Sequence, residues 1–133
     1  MGVDGAASNE AADMISEMHT AWHIHRAMGR ADAVTVEDVV TWSSANGARL
    51  LGFDDAGTLE VGKAADLAVF DLSHPRYAGL HDPGIGPVVA SGSALVRAMF
   101  VAGKQVVNDG AIVGLNLSDL AQDARRGVAK LQG

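Results

Sequence analysis

Apolar residues recur at three- and four-residue spacing from about residue 10 to Met28, which predicts an amphipathic helix. Its apolar stripe consists of Met14, Ile15, Met18, Trp22 and His25. Ser8 or Asn9 can act as the N-cap, and Glu10 and Asp13 then lie in the first turn, where acidic side chains are favourable. We therefore expect this helix to start at Asn9 or Glu10.

A second helix is predicted from Thr35, because Thr35 and Asp38 form a Thr-x-x-Asp pattern close to the capping box. Asn46 and Gly47 are expected to interrupt this helix. Residues 48–51 then add a short helical turn, which Gly52 closes.

After Gly52 the apolar residues fall into short runs that are typical of strands. Residues 59–63 predict a short strand and a turn. Residues 67–70 form an apolar run too short for a helix, which indicates a buried strand. Residues 73–93 contain all three prolines and are predicted to form a long irregular segment. Such loops are uncommon in compact domains and often functional.

The next stretch has the pattern of antiparallel hairpins. Residues 95–101 alternate in polarity and are followed by Ala102-Gly103, a two-residue hairpin signal, and by a strand at residues 105–107. Residues 108–110 predict a second turn, which leads into a strand at residues 111–113.

Both ends of the chain bear on the architecture. At the C-terminal end, Ser118 is predicted to cap a helix whose apolar stripe is Leu120, Ala124, Val128 and Leu131. Residues 1–5 have the pattern of a strand end that runs into a loop. The predicted order is a strand end, two helices, a small antiparallel sheet and a last helix. These elements do not make one closed architecture, so the chain looks like parts of two architectures.

Composition narrows the class of protein. The chain has 133 residues, of which 48% are hydrophobic and 20% charged, which is typical of a globular domain. The net charge of −6, with no cluster of basic residues, disfavours a nucleic-acid partner. The absence of cysteine excludes disulfides, cysteine-ligated zinc and thiol catalysis. No apolar run approaches the roughly 18 residues of a membrane span, so we expect no membrane partner and a cytoplasmic location.

Asp4 is the first candidate for chemistry. An aspartate at the C-terminal end of a parallel strand, between glycines, would point into the mouth of an α/β barrel. There it can ligate a divalent metal or accept a proton from a metal-bound water. When only these residues are considered, an ordinary Asp-Gly turn is the favoured interpretation.

The sequence His23-Ile24-His25, with His19 before it, looks like a metal motif but is predicted to be structural. Residues two apart on a helix lie about 200° from each other, so His23 and His25 point to opposite sides. His19 and His23 could chelate a metal, although no acidic third ligand follows at a useful position. His25 is expected to pack on the apolar stripe.

Other possible motifs are weaker still. Gly84-Ile85-Gly86 lacks the third glycine, the preceding strand and the following helix of a phosphate loop. No serine lies in a Gly-x-Ser-x-Gly context, which disfavours a serine hydrolase. His74 and His81, which flank part of the proline-rich segment, are expected to be solvated surface residues.

Three segments together resemble the C-terminal part of the amidohydrolase superfamily, in the branch of cytosine-type and guanine-type deaminases and triazine hydrolases. Residues 2–9 resemble the loop after the eighth barrel strand. Residues 47–52, followed by 57–67, resemble a helix end and the entry into a small β-sandwich, and residues 101–110 resemble its closing hairpin. The loop at residues 76–83 is similar to that of 8-oxoguanine deaminase-like members.

The resemblance implies an α/β plus β fold: the C-terminal part of a (β/α)₈ barrel, part of a composite β-sandwich and a C-terminal helix. On this view residues 1–52 belong to the barrel, 53–116 to the sandwich and 117–133 to the helix. The family uses one divalent metal, zinc or iron, to activate the water that attacks a heterocyclic substrate. Asp4 matches the family's metal-site aspartate and would act as metal ligand and general base.

The family's other metal ligands and catalytic residues lie upstream of the eighth strand and have no counterpart here. We therefore expect the chain to be inactive by itself, to hold no metal alone, and to need the missing N-terminal barrel portion as a partner. We also expect the free chain to form a homo-oligomer that covers its apolar helix faces and open strand edges. The alternative is a non-catalytic binding or oligomerisation module that retains the amidohydrolase scaffold.

Overall fold

The computed structural model describes residues 1–5, 8, 11–90 and 92–132. In chain order the elements are α1 (Met14–Met28), α2 (Val36–Ser43), α3 (Ala45–Leu51), β1 (Leu67–Phe70), α4 (Gly86–Val89), β2 (Val96–Val101), β3 (Lys104–Asn108), β4 (Ala111–Ile112) and α5 (Leu117–Gln132). Two 3₁₀ turns, Pro75–Tyr77 and Pro83–Ile85, lie between β1 and α4. Among the helices so described, none is both long and apolar enough to cross a membrane.

The helix α1 begins later than its apolar pattern predicts. Asp13 is the N-cap, and its carboxylate accepts hydrogen bonds from the backbone N–H of Ile15 at 3.0 Å and of Ser16 at 3.4 Å. Ser8 lies in a turn before the helix and does not cap it, while Asn9 and Glu10 lie outside the described residues. Asp13 therefore closes the helix end rather than lying in its first turn, because its own side chain satisfies the free N–H groups.

The capping box at α2 is confirmed. The Thr35 hydroxyl accepts from the Asp38 N–H at 3.2 Å, and the Asp38 carboxylate accepts from the Thr35 N–H at 2.9 Å. The expected break at residues 46–47 is wrong, since both residues lie inside α3. The break falls at Ser44, whose hydroxyl donates to the Val40 carbonyl at 2.6 Å, a back-bond that bends helices.

The four strands form one antiparallel sheet in the order β1-β2-β3-β4. Both predicted hairpins are confirmed, at Ala102-Gly103 and at Asp109-Gly110. All four of these residues have positive φ, between 45° and 77°, which is the type I′ conformation whose twist matches that of the strands.

The strand predicted at residues 59–63 is wrong. The segment is a turn, closed by a hydrogen bond from the Lys63 N–H to the Glu60 carbonyl at 3.2 Å. Leu59 and Val61 point into solvent, at 80% and 108% relative exposure. The apolar residues thus have no partner strand among the described residues, although they have a strand-like pattern.

The core lies between helices. Its buried members are Met18, Val34, Val36, Val39 and Val88, which come from α1, α2, α4 and the loop before α2. His25 does not join this core; it is exposed, and its ring lies edge-to-face with the Trp42 ring, with centroids 5.4 Å apart. No described residue of the four strands is buried. Within the described residues the strands are at most half-buried, so the sheet is covered less completely than is usual for a sheet packed on a second layer.

The last helix also departs from its prediction. It starts at Leu117, and the Asn116 side chain, rather than Ser118, accepts the hydrogen bonds of the free N–H groups, including that of Ser118 at 3.0 Å. No residue of α5 is buried.

Gly57 and Gly62 provide a matched test of how the 53–63 loop packs. Both have positive φ, 85° and 93°, but an added Cβ at Gly57 would lie 2.8 Å from the Ala48 Cβ, whereas at Gly62 it would meet nothing. We expect Gly62→Ala to lower the free energy of unfolding by about 1–2 kcal/mol through backbone strain. Gly57→Ala should lower the free energy of unfolding by about 1–3 kcal/mol more than Gly62→Ala does, because its new methyl group also overpacks the contact with α3. Urea unfolding measures both, and equal losses would contradict this packing.

Candidate functional site

Asp4 lies in an irregular segment at the N-terminal end, and none of residues 1–5 is in a strand. Its φ of 63° is left-handed, a conformation that aspartate tolerates better than most residues. One oxygen of its carboxylate accepts the N–H of Gly5 at 2.7 Å, and the Gly5 carbonyl accepts the N–H of Ser8 at 2.8 Å. The side chain is exposed. The Asp4 carboxylate thus bonds to the N–H of the next residue and remains accessible.

The donor set around Asp4 does not make a metal site by itself. Within residues 1–5, 8, 11–90 and 92–132, no three His, Cys, Asp or Glu side chains are grouped so that they could hold a metal ion. A catalytic zinc takes about three protein ligands and keeps one position for water or substrate. Asp4 could supply one ligand, so these residues do not fit a complete metal centre.

The histidines of α1 make packing contacts. The His19 Nδ1–H donates to the Val88 carbonyl at 2.7 Å, which ties α1 to α4. The His23 ring lies edge-on to His19 and to Trp22, at centroid distances of 4.4 and 4.7 Å. The structure brings these histidines together with no carboxylate beside them, within the part of the chain that it describes.

The histidines of the irregular segment differ in role. His74 Nδ1 accepts the N–H of Arg76 at 3.2 Å and so caps the first 3₁₀ turn. His81 is exposed, as expected. Tyr77, which follows Arg76, is buried against Gly86. The 76–83 loop is therefore anchored by its tyrosine.

A cavity of about 730 Å³ separates the helices from the sheet. Its lining comes from the start of α1, from α2, from the 57–59 loop and from β1 and β2, and includes Met14, Met18, Thr58, Phe70, Val96 and Met99. The Thr58 hydroxyl is buried there without a hydrogen-bond partner among the described residues. A buried hydroxyl normally finds a partner, so this position is suited to a polar group from elsewhere.

Asp71 is the one described group with a clear pKa shift. The Ser73 N–H donates to its carboxylate at 2.8 Å, and this bond, together with one from the Ser73 hydroxyl, lowers the pKa of Asp71 below its ordinary value. A lowered pKa in the folded state adds stability above the unfolded pKa, and this stability is lost as the pH falls through the folded value.

The cavity and its Thr58 hydroxyl were not predicted from the sequence. The lining residues range from Ala12 to Met99, so no local pattern brings them together. Leu59 and Val61 are two of several large apolar residues that the structure leaves exposed, which indicates a surface that needs a cover.

This chain is similar to known proteins over nearly its whole length. Residues 1–113 match the family model described as the amidohydrolase family. The chain is 48% identical to an isoxanthopterin deaminase from an unknown prokaryotic organism, over 98% of this chain and 30% of that protein. It is 40% identical to an 8-oxoguanine deaminase of Pseudomonas aeruginosa, over 98% of this chain and 29% of that protein.

The backbone of this chain is also similar to that of a solved structure. The crystal structure of an adenosine deaminase from Xanthomonas campestris with bound zinc superposes with a TM-score of 0.89 and 33% identity, over 97% of this chain and 30% of that chain. The chain thus spans about 30% of the length of the relatives it matches.

The contact between α1 and α4 can be tested at His19. His19→Phe keeps a ring but removes the N–H that the Val88 carbonyl accepts. We expect it to lower the free energy of unfolding by about 1 kcal/mol, the usual contribution of one such bond. His23→Phe, at an exposed position one turn away, is the control and should change stability by less than about 0.5 kcal/mol in urea unfolding. Equal losses in the two variants would contradict a role for this bond.

The shift at Asp71 can be tested by NMR titration of its side-chain carboxyl carbon. We expect a pKa below the ordinary aspartate value. In Ser73→Ala the pKa should rise part of the way back, because the hydroxyl is lost while the backbone N–H remains. An unchanged pKa in the variant would contradict the contribution of the hydroxyl.

Proposed function

Because the chain belongs to the amidohydrolase family, we propose that it supplies the C-terminal part of a metal-dependent deaminase, which hydrolyses a C–N bond of a heterocyclic ring. The observation that carries this proposal is the 48% identity to a deaminase along 98% of the chain. Purine, pyrimidine and triazine-like rings are the candidate substrates. The two deaminase relatives are named for isoxanthopterin and 8-oxoguanine, which favours a fused bicyclic ring.

In this proposal the chain has three parts. Residues 1–52 complete a (β/α)₈ barrel, residues 53–116 form part of a composite β-sandwich, and residues 117–133 form the C-terminal helix. Two features support a further part of the protein beside this one. The sheet has no buried residue among those described, and the cavity between the helices and the sheet holds an unpartnered hydroxyl.

We assign to Asp4 the roles of metal ligand and general base. A divalent metal, zinc or iron, would supply an activated water when bound in the complete enzyme. The Asp4 carboxylate is exposed, so it can face a substrate and accept a proton from the attacking water. Its hydrogen bond with the Gly5 N–H orients one oxygen and leaves the other available. The remaining ligands come from the N-terminal portion, because the described residues contribute no cluster of ligands.

A chimera tests the proposal. The C-terminal part of the Pseudomonas deaminase is replaced by this chain at the aligned boundary, and ammonia release from 8-oxoguanine and isoxanthopterin is measured. We expect activity from the chimera and none from the 133-residue chain. Asp4→Asn in the chimera should lower kcat by at least about 100-fold, the usual effect of losing a general base.

The control is Asp54→Asn, which removes an exposed carboxylate from a loop and should leave kcat unchanged. A chimera that folds and binds zinc but releases no ammonia would contradict the enzymatic role and favour the non-catalytic module. An active Asp4→Asn chimera would contradict the catalytic role of Asp4 but not the enzymatic role of the chain.

A further inference from the structure

His19 and His23 form a pair of side chains that the proposed deaminase activity does not use. They lie four residues apart on α1, so they are neighbours on one face of the helix. Their ring centroids are 4.4 Å apart and their planes are inclined at 72°, so the rings do not stack face to face. The third histidine of the helix, His25, lies against Trp42 instead. The ring nitrogens of the pair are therefore candidates for binding a ligand together.

The hydrogen bond of His19 determines which of its nitrogens is free. Its Nδ1 lies 2.7 Å from the Val88 carbonyl oxygen, and a carbonyl can only accept, so Nδ1 carries the proton. In the neutral ring Nε2 then has a free lone pair. Histidines that bind metal ions commonly donate their other N–H to a carbonyl in this way, which fixes the ring and makes the free nitrogen a better ligand. The contact between α1 and α4 thus prepares His19 to bind a metal ion.

His23 supplies the second nitrogen and the side that is open to solvent. Its side chain is exposed, whereas His19 is half-buried, so an ion can reach the pair from the side of His23. The Trp22 ring lies 4.7 Å from the His23 ring and restricts its rotation. The guanidinium of Arg26 lies 4.7 Å from the centroid of the Trp22 ring and brings a positive charge close to the pair. This charge opposes cation binding, so we expect a moderate affinity.

The spacing of the two rings indicates the coordination geometry that they suit. A ring nitrogen lies about 1.1 Å from its ring centroid and about 2.1 Å from a bound metal ion, so the centroid lies about 3.2 Å from the ion. Two rings at right angles around one ion then have centroids about 4.5 Å apart, and two rings at a tetrahedral angle about 5.2 Å apart. The observed separation of 4.4 Å matches the right angle. Right angles are typical of the tetragonal sites of Cu²⁺ and Ni²⁺, whereas zinc sites are usually tetrahedral.

We propose that His19 and His23 bind one divalent transition-metal ion of tetragonal preference, Cu²⁺ or Ni²⁺, with water in the remaining positions. Cu²⁺ should bind more tightly than Ni²⁺, as it does at most nitrogen sites. Within the described residues no third histidine or carboxylate joins the pair, so the affinity should be lower than that of a closed structural site. This site is separate from Asp4 and does not depend on the proposed deaminase activity.

Calorimetric titration of the 133-residue chain with CuCl₂, NiCl₂ or ZnCl₂ measures binding, with glycine present as a competing chelator. We expect one ion per chain, bound most tightly for Cu²⁺ and more tightly for Ni²⁺ than for Zn²⁺. His23→Gln removes one ligand at an exposed position and should weaken Cu²⁺ binding at least about tenfold. The control is His25→Gln, at another exposed histidine of α1, which should change the binding less than about twofold.

A double variant separates geometry from histidine content. His23→Ile combined with Ile24→His keeps the composition but moves the second histidine to the fifth residue after His19, about 140° around the helix. Cu²⁺ binding should again weaken at least about tenfold. Electron paramagnetic resonance of bound Cu²⁺ should show two imidazole nitrogens in the original chain and not in the double variant, and circular dichroism should show equal helix content in both.

Several outcomes would overturn the proposal. Equal weakening by His23→Gln and His25→Gln would mean that copper binds histidines without regard to their position. Copper binding that persists unchanged in the double variant would exclude the paired site. Tighter binding of Zn²⁺ than of Ni²⁺ would overturn the right-angle geometry, and a copper spectrum with a single imidazole nitrogen in the original chain would overturn shared binding by His19 and His23.

Discussion

A β-sheet normally buries at least one face against a second layer, and the strands of this chain are at most half-buried among the described residues. The helices, by contrast, bury Met18, Val39 and Val88 against one another and leave a cavity on the side that faces the strands. The helices are therefore more deeply buried than the strands. The exposed strand faces, the cavity and the unpartnered Thr58 hydroxyl are all surfaces suited to a further layer. They are consistent with a chain that spans about 30% of its relatives.

Asp4 by itself provides less than the hydrolytic chemistry of the family requires. Asp4 has an accessible carboxylate, one oxygen of which accepts the Gly5 N–H. A proton acceptor alone does not catalyse hydrolysis, because the attacking water must also be activated and oriented. The histidines that could have supplied further ligands are engaged otherwise: His19 donates to a carbonyl, and His25 contacts Trp42. The described residues therefore do not provide a complete catalytic site by themselves.

The features that could be predicted from the sequence are those set by short-range interactions. The Thr35–Asp38 capping box and the Asp109-Gly110 hairpin depend on residues one to three positions apart, and both are confirmed. The wrong predictions arose where side chains compete for the same backbone groups. Asp13 rather than Ser8 caps α1, and Asn116 rather than Ser118 caps α5, because each of these side chains reaches the free N–H groups at its own helix end. The break at Ser44 follows from a hydroxyl back-bond that spacing does not reveal.

The candidate site was less predictable for a different reason. From its tripeptide, Asp4 looks like an ordinary turn residue, and its left-handed backbone does not by itself distinguish this interpretation from a catalytic one. Only the resemblance of residues 2–9 and of the later segments to one family distinguished the two interpretations, and the match over residues 1–113 supports that family. The cavity could not be predicted at all, because its walls come from segments more than 80 residues apart, from Ala12 to Met99. Local sequence thus determines turns and caps, while a site built from several segments requires the assembled fold.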